Sequence, residues 1–131
     1  MGLAERRVAK EFQDRHFPQW QQKIDRALGR ALPLEIDWNS LQLVDESALY
    51  HEAWPKVYFE PLVLALEAIA VDALGREALA QGVKRIVIRH SGTKEMSFTA
   101  GTLLIDLPPT TNIDDVRERE RELTRALERG L

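Results

Sequence analysis

Apolar residues recur at helical spacing through the first thirty positions. Val8 and Phe12 stand one turn apart, and Phe17, Trp20, Ile24, Ala27 and Leu28 share one helical face. The stripe predicts two consecutive helices or one kinked helix, with the joint near His16 and Phe17, because Pro18 suits a first helical turn and Gly29 a C-terminal stop. From Pro33 to Trp38 the period changes to two. Leu34, Ile36 and Trp38 alternate with Glu35 and Asp37, as a half-buried strand requires. Asp45 is placed to cap a helix carrying Leu49, Ala53 and Trp54, which Pro55 should end or kink. The next helix starts near Lys56 or Pro61 and runs through Leu62, Leu66, Ile69 and Ala73. It is apolar on most of its circumference and belongs in the middle of a core. Gly75 reads as its end, and residues 76–81 as one more turn closed by Gly82.

Three strands are expected after that, at residues 83–89, 95–99 and 102–107. Ile86, Ile88, Met96, Phe98, Leu103, Ile105 and Leu107 supply the inward faces, while Arg85, Arg89, Ser97, Thr99 and Asp106 point outward. Ala100-Gly101 predicts a two-residue hairpin turn and residues 90–94 a longer loop, so the three strands read as an antiparallel meander. Glu35 and Asp37 oppose Arg85 and Arg89 in charge, which predicts that the first and second strands are neighbours. Pro108 and Pro109 stop the sheet, and Thr111 or Asn112 should cap a last helix with a narrow apolar stripe of Ile113, Val116, Leu123, Ala126 and Leu127. The expected fold class is therefore α+β in two layers. A four-stranded, mainly antiparallel sheet, with the chain order strand, helix, strand, strand, strand, is covered on one face by helices, with an N-terminal helical pair and a C-terminal helix.

Composition narrows the classes of function. A chain of 131 residues, 44% hydrophobic and 30% charged, predicts a single domain over residues 1–131 with one core. The absence of cysteine excludes disulfides, thiolate nucleophiles and Cys-based metal sites. A net charge of −3, with basic and acidic residues interleaved, argues against nucleic acid as a partner. The apolar run from Leu62 to Leu74 is broken by Glu67 and Asp72 and is too short for a bilayer, and residues 1–7 lack the apolar centre of a secretory signal. A cytoplasmic location is expected. Thirteen arginines to five lysines suggest a GC-rich bacterial source.

The candidate chemistry is sparse. Ile86-Val87-Ile88-Arg89-His90-Ser91-Gly92 resembles the opening of the histidine phosphatase family, in which a strand ends in Arg-His-Gly and the histidine is phosphorylated. Ser91 stands at the family's glycine, and a strand that ends in two polar residues before a turn accounts for the same positions and is the reading adopted. Gly92, Thr93 and Lys94 form a hairpin tip without the glycine framework of a phosphate loop. His16, His51 and His90 lack metal-ligand spacing, and His51-Glu52 has no second histidine after it, so neither a metal nor another cofactor is expected. Glu60 and Glu67, seven residues apart near one helix face, are the least implausible acid–base pair, but read as a charged stripe or as partners of Lys56. The alternating run from Arg117 to Glu122 reads as a solvated helix face.

Residues 50–61 hold four of the nine aromatics between prolines. Core packing is the first explanation of such a run. Aromatics with polar handles are also enriched at interfaces, which makes Tyr50, His51, Trp54, Lys56, Tyr58 and Phe59 the candidate partner-binding residues. The expected function is a small non-catalytic protein-binding domain, an adaptor, regulator or immunity-type protein, whose partner is another protein or a second copy of the chain. The alternatives are a small enzyme or ligand-binding protein with a pocket between helices and sheet, using Glu60, Glu67 or His51, and a homo-oligomer built through a sheet edge or the last helix.

Overall fold

In the computed structural model, which describes residues 2–43 and 45–131, both helices interrupted by proline run on through the interruption. The first rod comprises α1 (Leu3–Glu11), a π turn (Phe12–His16) and α2 (Phe17–Leu28); the second comprises α3 (Tyr50–Trp54), a π turn (Pro55–Phe59) and α4 (Glu60–Ile69). Proline inside a helix has no N–H to donate, and its ring collides with the carbonyl four residues back. For Pro18 and Pro61 those carbonyls belong to Asp14 and Val57, each in the middle of a π turn. The widened turns, closed by bonds from Phe17 N–H to the Phe12 carbonyl and from Glu60 N–H to the Pro55 carbonyl, absorb the clash without ending the helix. Pro18 is thus a register shift inside one rod, not the start of a separate helix. Gly29 closes the rod at φ 76°, as expected.

Other boundaries moved. Asp45 lies in a turn at φ 64° and caps nothing; a short 3-10 turn, Ser47–Leu49, leads into α3. The second rod ends at Ile69, and Asp72 caps α5 (Ala73–Gly82) by accepting the Gly75 N–H at 2.8 Å. Gly75 is therefore in the first turn of α5 and not a stop; a Cβ there would collide with the Ile69 carbonyl. The last helix, α6 (Val116–Gly130), begins at Asp115, later than Thr111 or Asn112. Arg119 turns inward and donates to the Thr111 and Asn112 carbonyls at 2.9 and 2.6 Å, so the charged run is not uniformly solvated.

The strands are β1 (Glu35–Ile36), β2 (Arg85–Arg89), β3 (Glu95–Thr99) and β4 (Thr102–Asp106), in the spatial order β1-β2-β4-β3. The sheet is mixed. β1 and β4 both run parallel to β2, and only β3 and β4 are antiparallel. The expected, mainly antiparallel meander is overturned: two of the three strand pairings are parallel, and β2 and β3 are not neighbours. Residues 90–94 cross the end of β4, and the β3–β4 hairpin then folds back so that β4 enters between them. Two contacts fix this order. At the near end the Gly101 carbonyl accepts the N–H groups of Lys84 and Arg85 at 2.7 and 3.1 Å. At the far end buried Asp106 holds the crossing loop by accepting from the Ser91 N–H at 2.9 Å and from the Ser91 hydroxyl.

The predicted strand faces and hairpin hold. Ala100 and Gly101 take φ 52° and 83°, the doubly positive pattern of a type I′ turn. Ile36, Ile88, Ile105 and Met96 form one inward row across the sheet, and Ile86, Leu103 and Phe98 the next. These residues share one core with Phe12, Ile24, Leu28, Trp54, Leu62, Leu66, Leu123 and Leu127 of the helices. β1 does pair with β2, and Arg85 grips Glu35 through two bonds of 2.8 and 2.7 Å. Arg89 turns instead to Asp106 at 2.9 Å. Among the described residues no helix is long and apolar enough to cross a membrane.

Candidate functional site

The aromatic stretch chosen from the sequence is core. Tyr50, Trp54, Tyr58 and Phe59 are fully buried. Phe12 stacks on Phe59 and meets Trp54 edge-on, with ring centroids 5.8 and 5.2 Å apart, while Tyr50 stacks on Trp54 at 4.4 Å. The two tyrosine hydroxyls are used internally. The Tyr50 hydroxyl accepts from Leu43 N–H and donates to the Leu43 carbonyl, and the Tyr58 hydroxyl donates to the Leu107 carbonyl at 2.6 Å. The six candidates therefore offer a partner only His51 and Lys56 unless the core opens. Lys56 is occupied by Asp114 at 2.8 Å and Glu52 at 3.0 Å, and these bonds raise its pKa above the ordinary lysine value.

The parallel strands place their C-terminal ends beside the phosphatase-like residues. His90 N–H donates to Ser40 Oγ at 3.0 Å, fastening the loop to the 3-10 turn Trp38–Leu41, which Asp37 caps. Asp106 has no exposed surface. Burial opposes its charge, but bonds from the Ser91 hydroxyl and N–H, Arg89 and Thr93 outweigh it and lower the carboxyl from 3.8 to about 2. Ser91 thereby donates twice to Asp106, and the pair holds the loop. No known family, curated protein or solved structure matches this chain. The resemblance to histidine phosphatases ends at the seven quoted positions.

Glu60 and Glu67 face an open cleft of about 320 Å3 between α2 and α4, together with Trp20, Lys23 and Arg26. Neither pairs with Lys56, whose partners are Glu52 and Asp114. The bases beside them fit the charged-stripe reading.

A second open cleft, of about 430 Å3, lies along the free edge of β3. It is lined by Met96 to Thr99 and, from α6, by Glu122, Arg125, Ala126 and Arg129. In a two-residue hairpin the residues flanking the turn form a hydrogen-bonded pair, and such pairs alternate along the ladder. The register Thr99↔Thr102 and Ser97↔Leu104 therefore turns the backbone groups of Met96 and Phe98 away from β4, toward the edge. Arg125 and Arg129 form no ion pair among the described residues; Arg129 Nε donates to the Arg125 carbonyl at 3.4 Å. A strand with an unpaired side was legible in the sequence, but which strand stood last was not.

Tertiary folding also gathers Glu11, His16 and His51. Their ligand atoms all lie within 4.8 Å of one another. Residue spacing gave no sign of this trio, because Glu11 and His16 are five apart and His51 belongs to the other rod.

Proposed function

We propose that the chain is a non-catalytic protein-binding domain that receives an extended segment of its partner on the edge of β3, with the segment's acidic side chains toward Arg125 and Arg129. The observation that carries this reading is the free edge beside α6: Met96 and Phe98 turn their backbone groups away from β4, toward a cleft whose helical wall supplies two cations that form no ion pair among the described residues. Strand addition uses those backbone groups for affinity and neighbouring side chains for choice of partner. Charge reversal at a rim acts mainly on encounter and specificity.

The test is selection of peptides from a random-sequence display library on the purified chain, followed by amide hydrogen exchange with a selected peptide bound. Enriched peptides that are acidic, protect the Met96 and Phe98 amides and lose binding to the Arg125→Glu, Arg129→Glu double variant are the expected result. Selected peptides that bind elsewhere would remove the proposal. Concentration-dependent dimerisation that protects the same amides would replace it with self-association through this edge.

A further inference from the structure

The geometry points to a divalent transition-metal site, of zinc type, formed by Glu11, His16 and His51 on the outside of the two long rods. In an α-helix, positions five apart diverge by about 140° around the axis and cannot serve one ligand. The π turn at Phe12–His16 changes this. Its hydrogen bond closes over five residues, so Glu11 and His16 come one above the other, with His16 Nε2 3.8 Å from Glu11 Oε1. That separation is too long for a hydrogen bond, leaving the ring nitrogen and carboxylate facing each other across a gap.

His51 enters from the second rod. Its ring lies edge-on to that of His16, with centroids 4.8 Å apart, and the Phe12 ring sits 5.8 and 6.1 Å from the two imidazoles as a floor. Donors around a tetrahedral zinc ion bound at its usual distances are about 3.3 Å apart. The three side chains are thus one small rotation from coordination. Glu11 and His51 are exposed and His16 is half-exposed, so nothing packed around them prevents that rotation. Two imidazoles and one carboxylate select zinc, nickel, copper or cobalt over magnesium and calcium, which prefer all-oxygen sites. Three protein ligands leave a position for water. Because the ligands come from two rods, the ion would fasten the start of the second rod to the joint of the first.

Cobalt(II) and zinc(II) titration of the purified chain, followed by visible absorption and thermal unfolding, tests the site. One equivalent of cobalt with a tetrahedral d–d spectrum, displaced by zinc, and a zinc-dependent rise in Tm are expected. Both should vanish in His16→Ala and in His51→Ala, weaken at least tenfold in Glu11→Gln, and persist in His90→Ala, which removes the one remaining histidine. Binding that is absent, or that survives His16→Ala or His51→Ala, would overturn the proposal, as would equal loss in His90→Ala. His16→Gln, which keeps the bulk of the side chain, separates loss of a ligand from loss of packing on Phe12.

Discussion

Tyr58 shows how one side chain ties the rods to the sheet. Its ring is fully buried, and its hydroxyl donates to the Leu107 carbonyl at the end of β4. Burial first, and then the nearby charge of Asp106, raise its pKa above the usual tyrosine value, so the hydroxyl stays a neutral donor. Tyr58→Phe keeps the ring and strands a part-buried carbonyl, which should cost about 1–3 kcal/mol in urea unfolding. Trp54→Ala instead empties volume beside Phe12, Trp38 and Tyr50 and should cost about 3–5 kcal/mol. The two losses together decide between core and surface for residues 50–59, since a contact residue on the outside would lose binding with stability nearly intact. The indole Nε1 of Trp54 is buried without a hydrogen-bond partner among the described residues, and nothing in their packing accounts for it. These roles were half legible. Apolar spacing marked the stretch as core, whereas the tyrosine hydroxyls that suggested an interface are answered by the carbonyls of Leu43 and Leu107, which no local pattern reveals.

At the level of elements, the chain states its strands and their faces more openly than its helix joints. Alternation places Ile86, Ile88, Leu103 and Ile105 inside because a slip of one residue would expose all of them. Proline reads as a boundary in a sequence, but a π turn lets the helix continue, and the consequence at Phe12–His16 is the meeting of Glu11 with His16. That meeting depends on a hydrogen-bond register, not on a residue type, and so left no signal. The hairpin carries a visible residual strain. Ala100 sits at φ 52°, a left-handed conformation costly to any residue with a Cβ, while Gly101 at φ 83° avoids that cost. Ala100→Asn restores the Asn-Gly pair that type I′ turns favour and should stabilise the chain by about 0.5–1 kcal/mol in urea unfolding. Substituting Gly101 with Ala should do the opposite, because a Cβ there would press on Lys84, whose N–H the Gly101 carbonyl accepts at the head of β2.

For the whole molecule, one of the two contacts that hold the order of the strands is a buried carboxylate. Sequential strands pair by default, and the reading of β2 and β3 as neighbours followed that default. In the observed order the Asp106 side chain, an outward position of β4, nonetheless has no exposed surface because residues 90–94 pass over it. An acid at a strand end carries no mark of whether solvent or a crossing loop will meet it. Its energetics give a measurable signature. The folded carboxyl is depressed from 3.8 to about 2, so its contribution is complete above pH 4 and is lost as the pH falls from about 4 toward 2. The depression corresponds to about 2 kcal/mol. Urea unfolding of the chain and of Asp106→Asn between pH 2 and pH 6 should give stability curves that converge on acidification, the variant being less stable at pH 6 and nearly equal near pH 2. Parallel curves would mean that the Ser91, Thr93 and Arg89 donors do not favour the charged form. In that case the Gly101 carbonyl, with its bonds to Lys84 and Arg85, would hold the parallel β2–β4 register without help from the crossing loop.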